Sequence, residues 1–194
     1  MRCVQIMFLA MCGVLAPSMA QTQTWQIDPM HSAAQFSVRH LGISTVRGQF
    51  EKLSGTVTYD PATPDKTSIA ASIDTNSVNT RVEMRDNDLR SPNFLDAAKF
   101  PKITFKSKRI DRSGSTLKVI GDLTIHGVTK EVTLDVDGPT PAIKDPMGNS
   151  RMGASASTKI NRRDFGVNGA PAMAGDEVLI TLDIEMIVPQ SSGK

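Results

Sequence analysis

Cysteine is almost missing from this 194-residue chain: there are two, Cys3 and Cys12, and both fall within the first twenty positions. Those positions read as a leader. Arg2 is the only early charge, and the small residues Ser18 and Ala20 precede Gln21. The apolar run from Ile6 to Ala16 is too short for a helix across a ~30 Å hydrocarbon core. This is the layout of a secretory signal peptide, residues 1–20, cleaved after Ala20. Leu9-Ala10-Met11-Cys12 approaches a lipoprotein cleavage pattern, but a bulky Met11 and the apolar residues past Cys12 argue against lipidation. The expected mature chain, residues 21–194, then has no cysteine. That excludes disulfide stapling, thiol catalysis and cysteine-ligated zinc. Asn-x-Ser/Thr acceptors are absent as well, so the exported product suits the periplasm of a bacterium, or secretion from one.

Charge of one sign is also scarce. Lys and Arg number 22 against 20 Asp and Glu, a net charge of +2, with no basic stripe of the kind that nucleic-acid binding needs. Beyond the leader no stretch nears the ~18 apolar residues of a spanning helix, so stable membrane insertion is not expected. A Gly-x-Ser-x-Gly nucleophile elbow and a glycine-rich phosphate loop are missing too. Only three histidines occur, His31, His40 and His126. A metal site would need them to converge with carboxylates such as Asp28 or Asp122. His31 lies in an Asp-Pro-x-His-Ser turn and His126 in an Ile-His-Gly turn, where histidine commonly bonds the backbone, so no metal and no catalytic residue is assigned.

What the chain does have is alternation. Ala34, Phe36 and Val38 alternate with polar neighbours, as do Ile103 and Phe105, then Leu117, Val119, Gly121, Leu123 and Ile125, then Val132, Leu134 and Val136. Met152, Ala154, Ala156, Thr158 and Ile160 follow the rule. So do Val178, Ile180, Leu182, Ile184, Met186 and Val188. Period two marks strands with one buried face. Weaker strands are predicted at Thr24 to Ile27, Gly55 to Tyr59 and Ile69 to Asp74. Between Asn79 and Leu95 the alternation stops and charges crowd Val82, Met84 and Leu89, which predicts a short surface helix ending near Ser91-Pro92. Ser113-Gly114 and Gly138-Pro139-Thr140-Pro141 read as turns. Eight or so antiparallel strands must close or double to hide their edges, which leaves a barrel and a two-sheet sandwich. The small inward residues Ala34, Gly55, Gly121, Ala154 and Ala156 leave room inside, or else each lies under a bulky neighbour.

Several motifs, read in order, carry a resemblance. They are Trp25-x-Ile27-Asp28-Pro29-x-His31-Ser32, Phe36-x-Val38-Arg39-His40-Leu41-Gly42, Gly48-x-Phe50, Arg85-Asp86-x-x-Leu89-Arg90-Ser91, Phe100-Pro101-x-Ile103-x-Phe105, Gly121 to Lys130, and Asn161-Arg162-x-Asp164-Phe165-Gly166. In this order and spacing the chain resembles the YceI-like family of bacterial envelope proteins, from Trp25 to about Val188. The resemblance implies one all-β domain over residues 21–194: an extended eight-stranded antiparallel lipocalin-like barrel with a short capping helix around 80–90. It implies a lumen holding a long apolar chain, a polyisoprenoid or an isoprenoid quinone, with no other cofactor.

The residues expected on the cavity wall are Phe36, Val38, Phe50, Phe105, Gly121, Leu123, Ile125, Val136, Ala154, Ile184 and Met186, with Met84 and Leu89 on the capping segment. His40, Arg85 and Arg90 are head-group candidates, since cations at a barrel mouth can neutralise a pyrophosphate or bond a quinone carbonyl. The competing expectation makes the two arginines an ion network with Asp86 and Asp88. Asn161 to Gly166 is expected to be a turn with Arg162 and Asp164 buried in hydrogen bonds. Two rival functions stay open, an enzyme acting on an amphiphile in the barrel and a solidly packed barrel serving as an interaction module. Pairing of two barrels into a homodimer stays open too.

Overall fold

A computed structural model describes residues 22–112 and 116–190; the leader and the turn at Ser113-Gly114 lie outside the described residues. The strands are β1 (Gln23–Ile27), β2 (Ala33–His40), β3 (Ser44–Phe50), β4 (Leu53–Tyr59), β5 (Ser68–Asp74), β6 (Val78–Asn79), β7 (Lys102–Asp111), β8 (Leu117–Ile125), β9 (Val128–Asp137), β10 (Ile143–Lys144), β11 (Ser150–Asn161) and β12 (Ala174–Val188). A single α-helix among the described residues, α1 (Glu83–Arg90), follows β6.

All the pairings are antiparallel. β1 and β2 run the same way along β12, with Ile27 opposite Met186 and Ala34 opposite Leu182. β3 pairs with β2 and β4 with β1, while β6 pairs with β3 and β5 with β4. β1 with β2, β3 with β4, and β5 with β6 are each one barrel strand broken by a corner. Counting them so, eight strands follow one another round the ring through β7, β8, β9, β11 and β12, and β12 closes it against β1 and β2. Closure removes the sheet edges that an open meander would leave. β10 adds a short pairing along the same edge of β11, beyond the end of β9.

The β8–β9 turn shows how local chemistry sets register. His126 and Gly127 take φ of 51° and 74°, the pair of positive values that a two-residue type I′ hairpin requires, and Ile125 faces Val128 across it. β3 is the full-length strand that alternation misses, because its inward slot at Gly48 holds no side chain. A Cβ there would lie 2.5 Å from the Phe36 ring, so the neighbouring strand fills the slot.

The same observation corrects the expectation for Gly121. It does not open onto a cavity; a Cβ there would lie 2.5 Å from the Lys106 carbonyl and 2.6 Å from the Phe105 ring. Gly55 is likewise covered, by Ile27 and the Ala70 carbonyl. Asp164 is corrected as well: it is exposed, and Arg162 alone of that pair is buried. Its guanidinium donates to the carbonyls of Val167, Gly169, Ala174 and Gly175 at 2.7 to 3.0 Å and to Asp176 at 3.3 Å. One side chain thereby satisfies four backbone acceptors between Val167 and Gly175, where the chain runs irregularly into β12.

Gly121→Ala is expected to cost about 1–3 kcal/mol by overpacking. Gly153→Ala, whose Cβ would meet nothing nearer than 3.6 Å, should be close to neutral. Urea unfolding of the two variants makes the comparison, and equal effects would contradict the packing described.

Candidate functional site

The ring encloses a cavity of about 870 Å3, inside the range that holds a drug-sized or larger apolar ligand. Its wall is made by the inward phase of every barrel strand. On β12 these are Val178, Ile180, Leu182, Ile184 and Met186; facing them across the longest seam are Ile160, Thr158, Ala156, Ala154 and Met152. Two alanines, opposite Leu182 and Ile184, take up little of the lumen on that side. Phe36, Ile180 and Leu182 point inward and yet are only half-buried, because each packs on one side and faces open volume on the other. Fully buried side chains gather instead in three patches around the wall. One, at the helix end, is Ile103, Leu123, Ile125, Phe165 and Val167; another is Trp25, Val57, Met152 and Met186.

Phe36, Val38, Phe50, Leu89, Phe105, Leu123, Ile125, Val136, Ala154, Ile184 and Met186 all line this cavity. Met84 also touches it but is 81% exposed, so it stands at the rim and not in the wall. Sequence reasoning did not place Phe94, Leu95, Phe165 and Val167 on the wall; they come from irregular segments, where no period marks an inward face.

The three cations expected at a mouth separate. His40 ends β2 and borders the cavity, as does Arg85. Arg90 does not: it donates to the carbonyls of Asn76 at 2.9 Å and Val78 at 2.8 Å, tying α1 to β6. The anticipated ion network with Asp86 and Asp88 is corrected at the same point. Asp86 is buried and accepts from the Thr80 amide at 2.8 Å and the Thr80 hydroxyl at 2.5 Å. Arg85 donates Nε to that same hydroxyl and Nη2 to the Thr80 carbonyl. Arg85 thus has two donors committed to the backbone segment beneath the helix, and among the described residues Nη1 has no partner.

A second polar cluster sits outside the lumen. The chain leaves the ring between β1 and β2, and there Asp28 meets His31 Nδ1 at 2.9 Å and Arg151 at 2.7 Å. Arg151 also pairs with Asp145 at 2.8 Å and closely with Glu185. Ligand atoms of Asp28, His31 and Glu185 lie within 4.8 Å of one another, but the Arg151 guanidinium already bonds both carboxylates, so the arrangement is an ion network. The His31 ring therefore bonds a carboxylate rather than the backbone, and His126 packs edge-on against Phe100 at 4.7 Å. Hydrogen bonds from Arg151, and then from His31, hold the Asp28 carboxyl down to about 2. Arg151 and Asn149 do the same for Asp145, also to about 2. The carboxylates in turn push Arg151 above its ordinary value.

Eight antiparallel strands around an apolar lumen, with a short helix at one end, define a lipocalin-like barrel. No helix of the described residues is long and apolar enough to cross a membrane. The sequence matches the YceI-like domain over residues 25–186, and the chain belongs to that family. Protein YceI of Salmonella arizonae is 38% identical over 158 residues, 81% of this chain and 82% of that protein. The crystal structure of Burkholderia cenocepacia BcnA superposes with a TM-score of 0.72 at 24% identity, covering 82% of this chain and 98% of that one. A polyisoprenoid binding domain from Saccharophagus degradans, implicated in plant cell wall breakdown, superposes with a TM-score of 0.64 at 17% identity, covering 87% of this chain and all of that one (100%).

The Asp28 network yields a pH dependence. A carboxyl whose pKa is depressed by folding adds stability above its unfolded value and loses it as pH falls toward the folded one. The melting temperature should hold from neutral pH to about the ordinary 3.8 and then drop toward about 2. Arg151→Gln should melt lower at pH 5 and show a shallower drop in that acid window. Parallel acid profiles in both proteins would refute the network's role.

Proposed function

We propose that this protein binds a long apolar lipid of the isoprenoid type within its barrel, as a carrier or reservoir without catalysis, after export to the periplasm. The observation that carries the reading is the wall itself: the inward side chains of the eight strands are overwhelmingly apolar, with Thr158 and His40 among the few exceptions, and they leave about 870 Å3 unfilled. A packed barrel would bury those side chains fully. Burying ~20 carbons at ~0.8 kcal/mol each is worth roughly 16 kcal/mol gross, enough to offset an association cost of ~4 to 15 kcal/mol. A short sugar or amino acid lacks that area, and the wall offers few polar groups to hold one. The Saccharophagus degradans domain, whose name records polyisoprenoid binding, shares the fold and supports the ligand class.

Solvent extraction of the purified protein followed by mass spectrometry is expected to release a prenyl lipid or quinone. Ala154→Phe places a ring in the lumen beside Ile184 and should cut the extracted amount severalfold with little change in melting. A wild type that yields no lipid, or a variant that keeps its lipid and only melts earlier, overturns the reading.

Arg85 supplies the polar end of this proposal, with a guanidinium at the cavity border and Nη1 unspent. Arg85→Gln should weaken a prenyl pyrophosphate by roughly ten- to a hundredfold, as loss of a charge-assisted contact of ~1.5 to 3 kcal/mol implies. The matching prenyl alcohol should bind unchanged. Arg90→Gln should lower the melting temperature without discriminating between the two. Equal losses for both ligands in Arg85→Gln would assign it to the fold alone.

A further inference from the structure

The described residues expose eight large apolar side chains, and five of them, Leu41, Ile43, Val82, Met84 and Met173, belong to the helix end of the barrel. Isolated exposed apolar residues need no explanation. These five come from three segments with no common period: the β2–β3 turn, the start of α1 and the stretch leading into β12. They meet at one place. The Leu41 amide donates to the Met173 carbonyl at 2.8 Å and the Ile43 amide to the His40 carbonyl at 3.0 Å. Met84, Met173 and His40 all border the cavity. Met84 and Met173 therefore stand where the lumen reaches the surface at this end, with Val82 beside Met84 in the chain and Leu41 and Ile43 on the turn bonded to Met173. Ile43 is 79% and Met84 81% exposed, so neither is spent on the core.

The turn that presents them is held firmly. Arg39 donates to the Gly42 carbonyl at 2.7 Å and to the Thr45 hydroxyl at 2.9 Å. Leu41 takes a φ of 50°, a conformation that glycine or asparagine adopts more cheaply, and its side chain lies in solvent. Among the exposed basic residues of this end, Arg39, Arg47 and Arg81 have no ion-pair partner among the described residues. The exposed acids of this end are Glu83 and Asp88 on α1 and Asp164 on the turn before β12; Arg85 and Arg90 on α1 also have no ion-pair partner among the described residues, which leaves five such arginines against three acids. The end thus combines apolar side chains at an opening with a surplus of unpaired arginine, which is the chemistry of an interfacial anchor for an anionic bilayer.

We propose that the helix end of the barrel docks on an anionic lipid bilayer, bringing the opening of the lumen against the hydrocarbon so that an apolar ligand passes between them without crossing water. The purpose of docking rests on the lipid-carrier reading above; the docking itself is measured separately.

The test is flotation of the purified full chain with vesicles of phosphatidylethanolamine containing roughly 30% phosphatidylglycerol, and with phosphatidylcholine vesicles alone. The wild type should float with the anionic vesicles and less with the neutral ones, increasingly so at low salt. The double variant Ile43→Ser/Met84→Ser should lose about tenfold or more in vesicle affinity. Leu41→Ser, which alters no cavity-lining side chain, should lose severalfold. The double variant Ile143→Ser/Met147→Ser, exposed apolar residues on the β10 side, should match the wild type, and all should melt alike. Absence of wild-type flotation, or an equal loss in the β10-side variant, overturns the proposal. So does a dimer in light scattering that Ile43→Ser/Met84→Ser abolishes, since the patch then belongs to a second copy. Lipid content is read by extraction from the same samples. Flotation without internal lipid sinks the carrier reading and leaves docking standing; internal lipid without flotation does the reverse.

Discussion

An open lumen is the constraint on which the rest of this structure depends. Most domains of this size are held by side chains packed to crystal-like density, but here Phe36, Ile180, Leu182 and their neighbours present one side to empty volume. Each forfeits part of its dispersion contact. The closed hydrogen-bond ring carries more of the load in consequence, above all the uninterrupted β11–β12 seam from Ser150–Val188 to Asn161–Glu177. Three arginines then hold what the ladder cannot reach: Arg162 the irregular segment before β12, Arg90 the seat of the helix, and Arg151 the corner between β1 and β2. Two of them work chiefly on backbone carbonyls and the third on three carboxylates.

Small residues on the inward phase do two opposite jobs. At Gly48, Gly55 and Gly121 the missing side chain lets Phe36, Ile27 and Phe105 lie flat across the neighbouring strand, which seals the wall. Ala154 and Ala156 instead line the lumen, and their short side chains leave room opposite Ile184 and Leu182. The shape of the cavity is therefore set less by which residues are small than by which neighbour reaches over them.

The helix separates its two arginines for a geometric reason. Arg85 and Arg90 are five positions apart, which at 3.6 residues per turn turns them well over a quarter-circle from each other. One borders the lumen while the other grips Asn76 and Val78. Their shared charge made them look like a set in the sequence, but the helix cannot aim both at the same place.

Strand existence was legible because period two is a local property: each of the long alternating runs is a barrel strand, and so are the three weaker ones. The His126-Gly127 turn was legible for a similar reason, since few residue pairs accept two positive φ values in succession. Membership of the YceI-like family was legible from motifs spread over nearly the whole chain. Tertiary structure alone decided which small inward positions are open, that Asp164 is exposed while Arg162 is buried, and that His31 and Arg151, 120 positions apart in the chain, share Asp28. It also decided that Phe94, Leu95, Phe165 and Val167 join the wall. The physical reason is the same throughout. Alternation reports which face a side chain takes, whereas the space in front of it depends on strands and loops distant in sequence, brought there only when the ring closes.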